Sequence, residues 1–387
     1  MPHTTVAVIG GGVVGAAVLY TLAHRGIDAT LLEADDALAY GASGTNSGVL
    51  HTGFDSTPGE LETALILRAA TLRDPVLDAL NIPVLRCGAE LLPRTDTERA
   101  TVAKLAENAR RNGVSVHLRE NDGALLVPGE SVTDPVAYTV ALADAAVRAG
   151  ATVRTNAAVE GIDQDADGLT LHLADGERLT CLVAVNCAGL YADTIARLVG
   201  DDSFEIYPRK GEFFVFELPA GATLDRILLP VPTPRTKGVL VFPTLDGKVV
   251  AGPTAVDQKD KNDWTVRPDA AREILNKAVA RFPALDGLHP VASYAGLRTA
   301  GRDVNYLIGP SARSPRLVNV AAIRSTGLTA SLGIGAHIAE LLPALEVQVG
   351  PERAPAPAAA PPQADNPWWQ RTAQHHGPPA TPPTTAP

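Results

Sequence analysis

The chain has 387 residues, a formal net charge of −10 and 45% apolar residues, and this length predicts two domains or one large composite domain. The acidic balance argues against nucleic acid as a partner, because a basic patch is expected on proteins that bind it. Three cysteines without a C-x-x-C spacing argue against a structural zinc site or a four-cysteine iron–sulfur cluster, so we predict no metal.

The N-terminal residues show no basic leader region, and we expect no signal peptide there. No apolar run reaches the roughly 20 residues that a membrane helix needs, so we expect no transmembrane segment. The low cysteine content is typical of a reducing compartment, and we expect the protein to be cytoplasmic.

The first forty residues predict a compact β-α-β unit. Residues 6–9 form a short apolar run typical of a buried parallel strand, and the glycines at 10–12 end it. Residues 13–25 carry apolar side chains at helical spacing, and Gly26 ends the helix. Residues 29–32 predict a second strand, which ends at Glu33.

Further along the chain the pattern changes from alternating helices and strands to short strands. Residues 41–59 are rich in Gly, Ser, Thr and Asn and predict a long loop, which in a compact domain is usually functional. Helices are predicted at 60–80, 95–112, 135–150 and 336–345, and strands at 153–160, 169–173, 182–185 and 317–321. Between 206 and 294, strand-like runs separated by Pro/Gly turns predict an antiparallel sheet in an inserted second domain.

Three glycines between the first strand and helix form a G-x-G-x-x-G dinucleotide fingerprint. Gly10 permits the tight turn, Gly12 lets a pyrophosphate approach the backbone, and Gly15 lets the helix pack close to the sheet. The helix N-terminus offers free N–H groups to phosphates, and Glu33 can accept hydrogen bonds from ribose hydroxyls. The fingerprint does not separate FAD from NAD, but the carboxylate disfavours the 2′-phosphate of NADP.

Five later segments resemble one known family in the order in which that family carries them. Residues 42–53 (ASGTNSGVLHTG) are similar to the "S-x-x-N-S-G-x-x-H-x-G" segment of the D-amino-acid oxidase-like flavoproteins. The nearest branch holds FAD-dependent glycerol-3-phosphate dehydrogenases and oxidases and L-2-hydroxyglutarate oxidases. The other similar segments are 186–193, 208–213, 237–244 with 252–255, and 325–331.

The resemblance implies an FAD cofactor and an α/β fold: a Rossmann-like FAD-binding domain with an inserted α+β substrate domain, whose antiparallel sheet roofs the flavin. We assign residues 1–80, 131–205 and 295–348 to the FAD-binding domain and residues 81–130 and 206–294 to the substrate domain. Residues 349–387, which are rich in proline and alanine, are predicted to be a disordered tail. The exception in that tail is the pair Trp368-Trp369, either a docking peptide for a protein partner or an incidental pair packed weakly on the body.

The match has three departures, which leave the substrate and the electron acceptor open. Glu62 stands where glycerol-3-phosphate dehydrogenases of this type have basic residues. Residues 323–326 lack the proline that usually begins the last motif. The proline-rich tail stands where many bacterial relatives carry a cysteine-rich extension.

The resemblance also implies which residues hold the cofactor. Val159 contacts the adenine end through its backbone, and the backbone N–H groups of 325–329 meet the pyrimidine edge of the flavin. The predicted cofactor-binding residues are Gly10, Gly12, Val14, Gly15, Glu33, Ser43, Asn46, Ser47, Val159, Ala188, Gly189, Gly327, Leu328 and Thr329.

Four residues are candidates for catalysis or substrate binding. By its family position His51 is the candidate base, with a side chain that titrates near neutral pH, although a histidine can also simply bond to backbone. Arg298 is the candidate anchor for a carboxylate or phosphate, whose geometry the guanidinium fork matches. Ser47 contacts flavin or substrate, or caps the loop. Lys259 meets a second anionic group or is solvated, and the same alternatives hold for Lys237 and Arg209.

Together these features predict an FAD-dependent oxidoreductase that oxidises a CH–OH carbon of a small anionic substrate. Glycerol 3-phosphate is the first candidate and a 2-hydroxy acid such as L-2-hydroxyglutarate the second, with oxygen or an external carrier reoxidising the flavin. The alternatives are an FAD-dependent amine or amino-acid oxidase and a non-catalytic flavin-binding protein that docks partners through its tail.

Overall fold

The structure is a computed structural model, which describes residues 2–233, 237–358 and 366–376. The helices are α1 Val13–His24, α2 Leu61–Ala79, α3 Asp96–Arg111, α4 Pro135–Arg148, α5 Ala192–Arg197, α6 Ala270–Val279, α7 Gly327–Leu341 and α8 Trp368–His376. The strands are β1 His3–Ile9, β2 Ala29–Leu32, β3 Val49–Leu50, β4 Val84–Leu85, β5 Ala89–Leu91, β6 His117–Leu118, β7 Leu125–Val127, β8 Ser131–Thr133, β9 Thr152–Arg154, β10 Val159–Gln164, β11 Leu169–Leu173, β12 Arg178–Asn186, β13 Ile206–Phe216, β14 Ile227–Leu229, β15 Leu240–Pro243, β16 Val249–Gly252, β17 Val256–Asp257, β18 Ala292–Gly301, β19 Leu307–Pro310 and β20 Leu317–Ala321. This mixed α/β architecture confirms the predicted fold class.

The first sheet forms the predicted Rossmann-like domain. Its parallel strands run in the order β9-β2-β1-β12, β20 pairs with the C-terminal part of β12, and β10, β11 and β19 are antiparallel additions. The strands β1 and β2 are buried almost throughout, as their unbroken apolar runs predict. Helices α1, α2, α4 and α7 contribute most of the helical side chains in the core against this sheet.

The second sheet forms a roof and is antiparallel except for the pair β5 and β14. Its longest pairing joins β13 to β18 from Ile206 opposite Gly301 to Val215 opposite Ala292. Strand β18 therefore crosses the predicted domain boundary at 294/295, and its C-terminal residues, Arg298 among them, belong to the roof sheet. Strands β3, β8 and β4 form a small third sheet.

Three local features differ from the sequence prediction for identifiable reasons. The predicted loop at 41–59 contains β3, which pairs with β8 just before His51. The strand predicted at 153–160 is divided into β9 and β10, between which Asn156 takes a positive φ of 52°. Helix α7 begins at 327 rather than 336, although its glycines have low helix propensity.

Close packing explains the glycines of α7. A Cβ at Gly333 would collide with the backbone of Leu65 in α2, and one at Gly335 would lie 2.7 Å from the carbonyl oxygen of Ala17 in α1. The segment Gly327–Leu345 is long and apolar enough to cross a membrane, but 67% of it is buried within the fold. Its apolar composition is accounted for by this packing against α1 and α2.

The C-terminal tail is not disordered throughout, because residues 368–376 form α8 on the body of the protein. Trp368 and Trp369 are only 3% and 8% exposed and belong to the core cluster of the roof. The proline content of the tail led to the prediction of disorder. The two indole rings nevertheless supply enough apolar surface to pack one short helix on the body. They are therefore not available as an exposed docking peptide. Residues 350, 353 and 358 of the same predicted tail donate backbone hydrogen bonds to the body, whereas residues 359–365 and 377–387 lie outside the described residues.

Candidate active site

The turn after β1 brings the N-terminus of α1 to the edge of the first sheet. Gly10 has a φ of 107°, and a Cβ at this position would lie 2.5 Å from the carbonyl oxygen of Cys187. A Cβ at Gly15 would collide with the carbonyl oxygen of Gly10, which confirms that this glycine allows close packing. At Gly12 the nearest atom to a Cβ would be Oγ of Ser43 at 3.0 Å, so this glycine faces a cradle rather than the core.

We expect Gly10→Ala to destabilise the fold. The substitution places a side chain in a left-handed conformation and against backbone atoms that cannot move aside, which costs about 1–3 kcal/mol or more. Thermal unfolding measures the effect, and Gly41→Ala is the matched control, because a Cβ there meets nothing within 4 Å. Equal melting temperatures for the two variants would contradict the prediction.

The carboxylate of Glu33 stands at the same edge of the sheet. It accepts hydrogen bonds from the backbone N–H of Gly11 at 2.5 Å and of Asp35 at 2.9 Å. Burial raises the pKa of Glu33, and these bonds oppose that rise. Each oxygen keeps a lone pair for a further donor, as the predicted bond to a ribose requires.

A cavity of about 1100 Å³ extends from this turn to the underside of the roof sheet. Ligand pockets usually measure roughly 300–1,000 Å³, so the volume suits a dinucleotide together with a small substrate. The predicted cofactor-binding residues that line it are Gly10, Gly12, Val14, Glu33, Ser43, Asn46, Ser47, Val159, Ala188, Gly189, Gly327 and Leu328. The two that do not line it lie directly behind its wall: Gly15 in α1, and Thr329, whose hydroxyl accepts a hydrogen bond from the N–H of His51. The open cradle at Gly12 and the N-terminus of α1 beside it fit a pyrophosphate.

His51 lines the cavity and forms a hydrogen-bonded pair with Glu130. Its Nδ1–H donates to a Glu130 carboxylate oxygen at 2.8 Å. Glu130 is fully buried, whereas 25% of the His51 side chain is exposed toward the cavity. The second Glu130 oxygen accepts from the N–H and the hydroxyl of Thr52 at 2.7 and 2.9 Å. The bond at Nδ1 fixes the ring and leaves Nε2 as the nitrogen that can accept a proton.

The pKa of His51 is raised above its ordinary value. Burial by itself lowers it, but the charge and the hydrogen bond of Glu130, together with the charge of Asp55, outweigh that effect. The backbone of His51 is held as well, since the buried Arg73 donates to its carbonyl oxygen at 3.3–3.4 Å. The ring is thus fixed on a rigid support, as a catalytic base requires.

Arg298 lies on β18 opposite Arg209 on β13, and its guanidinium borders the cavity. It donates to the carbonyl oxygens of Arg209 at 3.2 Å and of Thr254 at 3.3–3.4 Å. Among the residues that the structure describes, no carboxylate lies within ion-pairing distance of it. Burial lowers the pKa of Arg298 to about 10, with smaller contributions from the positive charges of Arg209 and Arg324. A half-buried cation without a carboxylate partner among the described residues favours an anionic ligand.

Three more predicted residues show mixed roles. Ser47 lines the cavity, and its hydroxyl accepts from the N–H of Val49 at 3.4 Å, so it caps the loop there. Arg209 lines the cavity but is paired with Asp257 at 2.8 Å. Lys237 lies at the exposed rim and pairs with Asp55 at 2.6 Å, which raises the pKa of the lysine.

Lys259 is the predicted site residue that the structure does not bring to the others. It is exposed and borders a separate surface cavity of about 630 Å³, together with Asp257 and Arg302. The register explains this position: β17 ends at Asp257, and the chain has left the sheet two residues later. Lys237 is the lysine that borders the main cavity.

Glu130 and Asp55 are two site residues that the sequence analysis did not identify. Their partners, His51 and Lys237, lie far from them in the chain. Glu130 is separated from His51 by 79 residues, and only its place beside a Pro-Gly turn marks it in the sequence. Asp55 lies four residues after His51, and that proximity was the available signal. Tyr40 and His375 also line the cavity, the latter from α8.

Comparisons with known proteins agree with this arrangement. The model of the family described as "FAD dependent oxidoreductase" matches residues 5–341. The chain is 28% identical over 352 residues to a glycerol 3-phosphate dehydrogenase of Caloramator mitchellensis, covering 87% of this chain and 73% of the relative. It is 29% identical over 365 residues to a glycerol 3-phosphate oxidase of Mycoplasma pneumoniae, covering 88% and 95%.

A solved structure is similar over almost the whole chain. The L-alpha-glycerophosphate oxidase of Mycoplasma pneumoniae, dithionite-reduced and with FAD bound, superposes with a TM-score of 0.85 and 26% identity, covering 92% of this chain and 98% of that one. The family match spans far more than half of the 387 residues. The chain therefore belongs to the FAD dependent oxidoreductase family and is an FAD-dependent enzyme.

Proposed function

We propose that this enzyme oxidises the CH–OH carbon of a small anionic substrate. The observation that carries the proposal is the pairing of two groups on one cavity: a histidine base backed by a buried carboxylate, and a half-buried arginine that has no carboxylate partner among the described residues. An alcohol must lose its O–H proton as the carbon loses hydride, so it needs a base. A neutral amine can lose hydride without strong assistance from a base. The His51–Glu130 pair thus favours an alcohol over an amine.

Residues of this chain bind the substrate and accept its proton. Arg298 binds the phosphate or carboxylate of the substrate through its guanidinium fork. Nε2 of His51 accepts the hydroxyl proton, and Glu130 stabilises the imidazolium that results. Bound FAD supplies the hydride acceptor. We propose that oxygen or an external electron carrier then reoxidises the enzyme.

The relatives guide the choice of substrate. Those named glycerol 3-phosphate dehydrogenase and oxidase support glycerol 3-phosphate as the first candidate. An L-2-hydroxyglutarate dehydrogenase of Escherichia coli, 29% identical over 266 residues that cover 64% of this chain and 63% of the relative, supports a 2-hydroxy acid as the second. We also propose a cytoplasmic location, which the three free cysteines support.

An anaerobic titration of the purified holoenzyme tests the substrate. Glycerol 3-phosphate is added first while the absorbance of the oxidised flavin is followed, and L-2-hydroxyglutarate and a panel of amino acids follow in separate samples. Bleaching by either hydroxy compound supports the proposal, and air admitted afterwards shows whether oxygen is an acceptor. Bleaching by an amino acid alone would contradict the proposal and favour amine oxidation.

The proposal predicts a pH dependence that Glu130 controls. A base must be neutral to accept a proton, so kcat/KM is expected to rise with pH through the pKa of His51 in the free enzyme, which is raised above its ordinary value. Glu130→Gln removes the charge that raises this pKa while the burial that lowers it remains. We therefore expect the midpoint of the kcat/KM profile to fall below that of the wild type, together with kcat.

Glu90→Gln is the matched control for this profile. Glu90 is also a largely buried acid of the substrate domain, but it pairs with Arg119 and Arg226 away from the cavity. Its profile should keep the wild-type midpoint. An unchanged midpoint in Glu130→Gln would remove His51 as the titrating base.

A further inference from the structure

The C-terminal residues 366–376, which we name the C-terminal strap, lie beyond the family match that ends at 341. The strap consists of α8 and the two residues before it. Its contacts reach both domains: β18 of the roof sheet and α4 of the FAD-binding domain. The strap therefore bridges the two domains.

The first anchor of the strap is aromatic and lies under the roof. The ring of Trp368 meets Tyr294 edge-on, with centroids 5.4 Å apart and an angle of 78° between planes. Tyr294 in turn stacks at 4.9 Å on Phe213, which lines the cavity. Trp369 donates its indole N–H to Asp246 at 3.4 Å. These contacts fix the N-terminal turn of α8.

The second anchor is polar and lies on the FAD-binding domain. The hydroxyl of Thr372 donates to the carbonyl oxygen of Gly44 in the loop 39–46. Arg371 pairs at 3.3 Å with Asp134, whose other oxygen caps the N-terminus of α4. The strap thus contacts the loop 39–46 and the N-terminus of α4 through polar groups.

The same loop contacts the cofactor cradle from inside. The hydroxyl of Ser43 accepts a hydrogen bond of 2.8 Å from the N–H of Val13 at the start of α1. Three residues earlier, the ring of Tyr40 is stacked on that of His375, with centroids 3.6 Å apart and planes within 8°. Both rings line the cavity. One short loop is therefore fixed between α1 and the strap.

We propose that the C-terminal strap is part of the FAD-binding site: the Tyr40–His375 stack forms a wall of the cavity, and Thr372 holds the loop 39–46 closed over the cofactor. FAD cannot leave through this wall unless the stack and the Thr372 bond break. The strap consequently slows cofactor release, whichever substrate the enzyme oxidises.

The test measures the rate of FAD release from the holoenzyme, followed as the rise of flavin fluorescence after dilution. The double variant Thr372→Val/His375→Ala keeps both tryptophans and removes one hydrogen bond and one ring stack. Losses of this kind predict about a tenfold faster release. Gln370→Ala is the matched control: this half-buried residue lies on the same helix, its backbone N–H bonds to Pro367, and its side chain has no hydrogen bond to the residues that the structure describes.

A chain that ends at residue 365 gives the second arm. It should release FAD at least as fast as the double variant, and a peptide of residues 366–376 added in excess should restore slow release. If the truncated chain precipitates because its aromatic surface is uncovered, the double variant alone decides. Release at the wild-type rate from the double variant would overturn the proposal.

Discussion

His51→Ala is expected to keep FAD and to lose turnover by about 10²–10⁴-fold, the range that a positioned base contributes. The ring lies on the cavity with one nitrogen fixed by Glu130, so its removal takes away the proton acceptor and leaves the buried carboxylate behind. The cradle at Gly12 and Glu33 is untouched, so the yellow holoenzyme should still form. Steady-state kcat and the flavin content of the purified variant measure both parts.

The control for this variant is His172→Ala. His172 is also a histidine paired with a carboxylate, Asp163 at 2.7 Å, but it lies on β11 away from the cavity. Its turnover should equal that of the wild type. A His51→Ala enzyme with near-normal turnover and full flavin would show that another group removes the proton, or that none is needed, as for an amine.

The β-α-β unit at the N-terminus could be predicted closely because its signals are local. The apolar run of β1, the glycines after it and the strand β2 ending before Glu33 all lie within the first 33 residues, and the observed bounds differ by a few residues at most. The position of His51 beside the cavity followed from the motif around it. Such features depend on neighbours in the chain, which a sequence shows directly.

The rest of the site depends on contacts between distant segments. Glu130 directly precedes β8 and His51 directly follows β3, so the pairing of these strands brings the two residues together. No periodicity in either segment predicts that pairing. The glycines of α7 predict a loop until the backbones of α1 and α2 are known to lie against them. The strap could not be predicted for the same reason, since its two tryptophans pack on a surface, with Tyr294 among its residues, that comes from much earlier segments of the chain.

Arg298→Met should weaken substrate binding strongly without weakening the fold. The guanidinium is half-buried and has no carboxylate partner in the part of the chain that the structure describes. Its hydrogen bonds to carbonyl oxygens are long, at 3.2–3.4 Å. Hydrogen bonds between charged groups are worth roughly 1.5–3 kcal/mol each, so the loss of a bidentate contact predicts a rise in KM of about a hundredfold or more. Steady-state kinetics with the substrate identified by the titration measures this rise.

Thermal unfolding without substrate separates this role from a structural one. A partly desolvated cation without a counter-charge costs free energy, so a methionine of similar length should leave the melting temperature unchanged or raise it. Arg302→Met, four residues further along the chain, is the control: Arg302 pairs with Glu205 at 3.1 Å on the surface and does not line the main cavity, so KM should not change. A fall in melting temperature with an unchanged KM in Arg298→Met would make Arg298 a structural residue. A raised KM with an unchanged or raised melting temperature would identify Arg298 as a residue that binds the anionic substrate at a cost in stability.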